Sequence, residues 1–596
     1  MIKMNKFKPF ICGIFIIIYF GISASGQQKE VKVEGKKIII YQLLPRYFGN
    51  KKTVNIPYGT IVQNGSGKFD DITNLALDGL KELQVNYIWY TGVLAHASLT
   101  DYSKYGIKPD DADVVKGRAG SPYAIRDYYD VDPDLAVNVS NRLAEFEALI
   151  KRTHDKNIKV LIDFVPNHVA RSYYSNAKPK EVADFGANDD KNVAFSTKND
   201  FYYLPNQPFK VPVNKNEYNS PLKKQMDGKF TEYPAKTTGN NIFSSSPSLN
   251  DWYETVKLNY GIDYSNGKEI THFNPVPPVW TKMRDILIYW AKKGVDGFRC
   301  DVAEMVPVDF WEWVIPQVKV VKPSLIFIAE AYNPKAYQQF LTQGKFDYLY
   351  DKVGLYDGLK KLIKNEPKAN VNDIANVWKV ESAAFGSQMV RFLENHDEER
   401  IASKSFAGKA ELSFPGMIIS AALGTGPLML YFGQEHGEPA GVSEGFTGDD
   451  YQNGRTTIFE YWGVPNHQNW MNNGLFDGGQ LTENQKSIRS FYKKLLQVTT
   501  KNDAIVNGEI VELTNAKMNN RMYAFIRYTK NQRILIVANF DREKTLTTEF
   551  TIPENMLDLE TSVSVKELLT NKKITVTSKN KIPVKILPSS AQIIQF

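Results

Sequence analysis

Four acidic residues stand where apolar runs end: Asp163 in "VLIDF", Asp301 in "GFRCD", Glu330 in "IFIAE" and Asp397 behind "MVRFLENH". A single acid at a strand end is ordinarily a cap or a surface charge. Four that converge repel one another and are hard to explain structurally, so they mark a reactive site. Arg299 lies two residues before Asp301, and residues two apart on a strand point the same way. Its guanidinium is expected to lower the Asp301 pKa and hold an ionised, fixed carboxylate, which is a nucleophile. Taken alone, that pair is explained equally well as an ion pair serving only the fold. Glu330 leaves an apolar run with acids nearby and no adjacent base in sequence. Its pKa is expected to rise, leaving it protonated and able to donate. One ionised and one protonated carboxyl facing each other across a groove is the arrangement for double displacement at a glycosidic carbon.

Such a site needs elements that bring four strand ends to one mouth. A helical pattern feeding directly into an apolar strand recurs along the chain, which predicts βαβ units and a parallel sheet. "DITNLALDGLKELQ" runs into "VNYIWYTG", and "NRLAEFEALIKRTHDKN", with Leu143, Phe146, Leu149 and Ile150 on one face, runs into "IKVLIDFVP". "VWTKMRDILIYWAKKG" stops at Gly294 and delivers "VDGFRCD". With "KIIIYQLLP", "SLIFIAEAY", "FDYLYDK", "QMVRFLEN" and "PLMLYFGQE" the strands number eight, which predicts an α/β fold of the (β/α)8 TIM barrel type, with the four acids at its C-terminal mouth.

The rhythm breaks at 169–272, a stretch rich in Asn, Ser, Pro, Lys and Tyr. It is too long for a structureless loop and is read as a domain inserted after strand 3. From 499 to 596 short alternating segments such as "RMYAFIRY" and "RILIVANF" predict a C-terminal antiparallel β-sandwich domain. The capping pattern Thr482-x-x-Gln485 opens a helix just before it. The barrel then comprises 30–168 and 273–498.

Composition bounds the partners. The N-terminus carries Lys3, Lys6 and Lys8, an apolar stretch from Phe10 to Phe20, and the small residues Ser23-Ala24-Ser25, so residues 1–25 read as a secretory signal and the protein as exported, periplasmic or extracellular. Removing the three signal lysines from a formal charge of +7 leaves +4, and no basic block suggests nucleic acid. No stable membrane insertion is expected after signal cleavage. Of two cysteines only Cys300 survives cleavage, so the exported chain stands without an internal disulfide.

The motifs "DFVPNH" (163–168), "GFRCD" (297–301), "AE" (329–330) and "FLENHD" (392–397) occur in one order at successive strand ends. With "IIIYQLLPRYF", "SPYAIRDYYDVDP", "KLNYGID" and "MLYFGQEHGE" the chain resembles the α-amylase superfamily of glycoside hydrolases from about residue 37 to the C-terminal domain. The resemblance implies Asp301 as nucleophile, Glu330 as general acid and base, and Asp397 as the residue that grips sugar hydroxyls and helps distort the ring. It implies that Arg299 orients the nucleophile, that His168 and His396 hydrogen-bond the same sugar, that Tyr123 gives a stacking platform, and that Asp163 organises the site from behind. Asn167 matches the asparagine that commonly ligates a structural calcium ion in the family.

The chain departs from the family after Asp301. Many starch-cleaving members carry Lys-His where this sequence has Glu304 and Met305, which points to a different acceptor-side subsite. The expected activity is retaining hydrolysis of α-1,4-linked glucans. Alternatives are a glucanotransferase, an α-glucosidase or an α-1,6-acting relative with the same acids, or a non-catalytic glycan-binding protein.

Overall fold

The computed structural model describes residues 37–596 apart from 213–225, 266, 441–453, 557–563 and 577–579. The expected signal segment lies outside the described residues. Eight short apolar runs become the parallel strands of one sheet: β1 (Ile39–Leu43), β2 (Tyr87–Tyr90), β3 (Lys159–Phe164), β4 (Gly297–Cys300), β5 (Ile326–Ala329), β6 (Tyr348–Tyr350), β7 (Met389–Val390) and β8 (Leu428–Tyr431). Nearly every residue in them is buried, as expected of a parallel sheet covered on both faces. Their spatial order is their sequence order, and β1 pairs with both β2 and β8. Arg391, one residue past β7, bridges in parallel to Leu428 of β8, which closes the ring. The (β/α)8 barrel is therefore complete.

The helices between strands follow the sequence signals. The helix Asn74–Lys81 is capped by Thr73, whose hydroxyl accepts from Ala76 N–H. The helix Pro278–Lys292 is ended by Gly294 at φ +103°, where a side chain would press within 3.2 Å of Ile150. Beyond β2 and β3 the connections lengthen. The first contains the antiparallel pair Leu94–His96 and Ile125–Val131. The second contains the pairs His168–Ala170 with Thr255–Lys257 and Tyr203–Leu204 with Ala235–Lys236. The excursion after β2 has no counterpart in the sequence reading, where "SPYAIRDYY" is only a motif.

At the C-terminus, β9 (Glu509–Leu513), β10 (Met522–Tyr528), β11 (Arg533–Asn539), β13 (Ser564–Glu567), β14 (Lys573–Thr575) and β16 (Ser590–Gln595) form a six-stranded sheet, and β12 (Leu546–Thr551) pairs with β15 (Lys581–Ile586). Ala524, Ile526, Leu535 and Val537 share a core with Phe550, Ile582 and Val584 of the two-stranded sheet. Their alternates Tyr523, Phe525, Ile534 and Ile536 join the core of the barrel. The six-stranded sheet is thus buried on both faces, and period-two alternation assigns each residue to one core or the other.

Candidate active site

Asp301 and Glu330 each follow a barrel strand by one residue, at the C-terminal ends of β4 and β5. Arg299 joins them. Its Nη1 donates to Asp301 Oδ1 at 2.6 Å, and its Nη2 lies 2.5 Å from Glu330 Oε1 as an ion pair off the hydrogen-bonding angle. A single guanidinium spans both groups, so the two carboxyls are neighbours on one side of the mouth. Sheet register sets Arg299 beside Asp163, and the two ions lie 3.7 Å apart. Trp89, Tyr123 and Tyr350 surround the guanidinium with ring centroids at 5.2–5.7 Å, which leaves it few ways to turn.

Burial decides the proton affinities. It raises the Asp301 pKa further than Arg299 lowers it, so the net direction is opposite to the sequence expectation. The arginine that was to depress Asp301 alone is shared with Glu330 and Asp163. Glu330 is raised first by burial and, against the pull of Arg299, by the nearby Asp301 charge. Burial and then Glu330 push Asp397 well above the usual carboxylate range. Asp163 is lifted by burial to about 7. It accepts from Trp89 Nε1 at 3.1 Å, from Gly92 N–H at 3.2 Å and from the Tyr123 hydroxyl at 3.3 Å.

Glu330 is also held by two donors outside the arginine. Tyr332 O–H donates to Oε1 and Val302 N–H to Oε2, both at 2.7 Å. Val302 reaches it from the left-handed region, φ +35°, a costly conformation for a β-branched residue and one concentrated at functional sites. Asp397 lies seven residues beyond β7 on a loop rather than at the strand end, with its N–H and that of Glu398 donating to Asn395 Oδ1. His396 Nε2 stands 2.6 Å from the Tyr123 hydroxyl and 3.1 Å from Asp397 Oδ2, while Gln42 Nε2 contacts its Nδ1 at 2.8 Å. The Tyr123 ring stacks on His396 at 5.2 Å. Burial pulls His396 down and His168 to about 4, so both are neutral at pH 7.

These groups open on a cavity of about 480 Å3, lined among others by Tyr123, His168, Asp301, Glu330, Tyr332, His396 and Asp397. Its far walls carry Trp252 and the ion pair Lys116–Glu254 at 2.8 Å. A larger groove of about 1100 Å3 lies on the C-terminal strands but contains none of the four acids; the converging carboxyls, not volume, locate the site. Glu304 is absent from the cavity wall. Its carboxylate accepts Tyr332 N–H at 2.8 Å and Asn333 N–H at 2.9 Å, tying down the loop that carries Tyr332.

Asn167 is fully committed to protein partners. Its Nδ2 donates to Gly239 O at 2.7 Å and contacts His168 Nδ1 at 3.1 Å, and its Oδ1 accepts from Lys257 Nζ at 2.9 Å. Among the described residues no three His, Cys, Asp or Glu side chains converge as a metal cluster. A donor set of one neutral amide oxygen already bonded to an amine does not fit calcium, a hard cation that takes six to eight oxygen ligands.

Sequence reasoning missed Gln42, Trp89, Trp252 and Tyr332. Gln42 interrupts the apolar run of β1 near its C-terminal end, a signal that was available, whereas Trp89 continues the apolar run of β2 and offers none. Trp252 lies in an aperiodic stretch that offers none.

A closed parallel barrel with carboxyl groups gathered at its C-terminal mouth belongs to the class of barrel enzymes. The α-amylase catalytic-domain model matches residues 42–508; the chain is a member of the α-amylase family and a glycoside hydrolase. Alpha-amylase 3 of Dictyoglomus thermophilum is 23% identical over 96% of this chain and 95% of its own length. Neopullulanase 2 of Thermoactinomyces vulgaris is 23% identical over 85% of this chain and 70% of its own. Among solved structures, a maltogenic α-amylase of Thermotoga neapolitana superposes with TM-score 0.58 at 21% identity, covering 94% of this chain and 98% of its own.

Proposed function

We propose that the protein is an exported retaining glycosidase that cleaves α-1,4-linked glucans such as starch and maltooligosaccharides. The observation that carries the reading is Arg299 touching Asp301 and Glu330 at once, beneath an open cavity. Asp301 attacks the anomeric carbon while Glu330 gives its proton to the leaving oxygen. Glu330 then takes a proton from water, whose oxygen releases the sugar from Asp301. Tyr123 offers its ring face to the sugar, His168 and His396 donate as neutral imidazoles, and Asp397 holds the hydroxyls of the distorted ring. The family membership supports a glucan substrate, since relatives carry the names α-amylase, neopullulanase and cyclomaltodextrinase.

One observation favours transfer to a second sugar as an additional outcome. Tyr332, 38% exposed, stands beside the general acid with its ring in the cavity, where an acceptor sugar would compete with water. Incubation with maltoheptaose, with products resolved by chromatography and the first-formed anomer read by NMR, tests both readings. Shorter α-anomeric products support hydrolysis, and longer ones support transfer; initial β-anomers, or no turnover on starch, pullulan and maltooligosaccharides, would overturn the proposal. The leader-like N-terminus supports export, and the mass of the mature N-terminus checks it.

A further inference from the structure

The seam between the barrel and the segment inserted after β3 is built around Asn167. Lys257 lies on the strand Thr255–Lys257, paired opposite His168. Leu258 N–H donates to Asn167 O at 2.9 Å, and Tyr260 O–H donates to Pro166 O at 2.8 Å. This register aims the lysine at the Asn167 amide, where Nζ reaches Oδ1. Both residues are almost wholly buried, at 3% and 0% exposure. Gly239 completes the seam from the other side: a side chain there would come within 2.4 Å of Thr255 and 3.1 Å of His168, so only glycine lets its carbonyl accept from Asn167.

We propose that the Lys257 amine is a built-in replacement for a metal ion at this seam, fixing Asn167, and through it His168 on the cavity wall, without any divalent cation. The chemistry of the seam suits an amine and not a dication. A divalent ion in a buried place needs carboxylates to offset its loss of water, and Asn167 Oδ1 and Gly239 O are neutral. Asp200 and Glu254, buried acids of the inserted segment, are already paired with Lys282 and Lys116. Lysine brings one positive charge at most and three N–H groups, tethered covalently to the inserted strand.

The test uses the full chain without substrate, so its result stands apart from the proposed reaction. Elemental analysis of purified protein is expected to find no stoichiometric calcium. The melting temperature is expected to be unchanged by EDTA dialysis and by millimolar calcium. Lys257→Met is expected to melt several degrees lower, with a loss that calcium does not restore. One calcium per chain, or an EDTA-induced fall in melting temperature reversed by calcium, overturns the proposal, and so does Lys257→Met melting like its parent. Should Lys257→Met fail to fold, the metal content and EDTA response of the unmodified chain still decide.

Discussion

Asp301 and Glu330 are coupled through Arg299, so each substitution tests the pair and not one residue. Asp301→Ala and Glu330→Gln are each expected to lower kcat by at least about 10²–10⁴-fold, the scale of lost general acid–base or nucleophilic assistance, while circular dichroism and melting stay near the parent. Near-normal turnover in Asp301→Ala would remove its assigned role. The pH dependence follows from the same burial. Activity rises as Asp301 loses its proton and falls as Glu330 loses its own. Both are raised by desolvation, so the bell lies at higher pH than exposed carboxylates would give. Tyr332 O–H favours the charged form of Glu330 and lowers its pKa. Tyr332→Phe is therefore expected to move the alkaline limb of kcat/KM upward, and a limb that stays or falls contradicts that role. Glu304 acts at one remove: because it holds the backbone of Tyr332, Glu304→Gln is expected to alter product distribution and the alkaline limb together.

Each element that positions these residues has a local cause. β4 and β5 end one residue before their acids, and the left-handed Val302 turns its N–H back to Glu330. The helix Glu483–Lys501, before the C-terminal sheet, begins with a complete capping box: Gln485 N–H donates to the Thr482 hydroxyl, and Thr482 N–H to the Gln485 side chain. Thr482→Ala is expected to cost about 0.5–2 kcal/mol in chemical denaturation with kcat unchanged. The box was readable in sequence because both of its bonds lie within four residues. The short β7 was not: "QMVRFLEN" reads as a long strand, yet only Met389 and Val390 pair with β6 and Arg391 adds a single bridge to β8, and the chain then turns into the loop that carries Asp397. Apolarity says that a run is buried but not how much of it finds a neighbouring strand.

At the scale of the molecule, the C-terminal sheet shares its apolar residues with the barrel. Phe525 and Ile536 lie in the barrel's core, and Arg527, buried between them and the helices, donates to Leu423 O at 3.0 Å. Phe525→Ala is expected to cost roughly 3–5 kcal/mol. Calorimetry is expected to show barrel and sheet unfolding in one transition; two resolved transitions contradict shared cohesion. Among the described residues no helix is long and apolar enough to cross a membrane.

By itself the sequence determined the eight strands, the C-terminal β domain and the four acids, because each depends on local apolar runs and on residues one or two positions apart. Only the tertiary structure decided how one guanidinium is divided among Asp163, Asp301 and Glu330, that Glu304 serves a loop instead of the cavity, and that Lys257 reaches Asn167. Those outcomes join residues as distant in sequence as Asp163 and Arg299, whose charges and hydrogen bonds are set by burial, and burial exists only once the chain has closed around them.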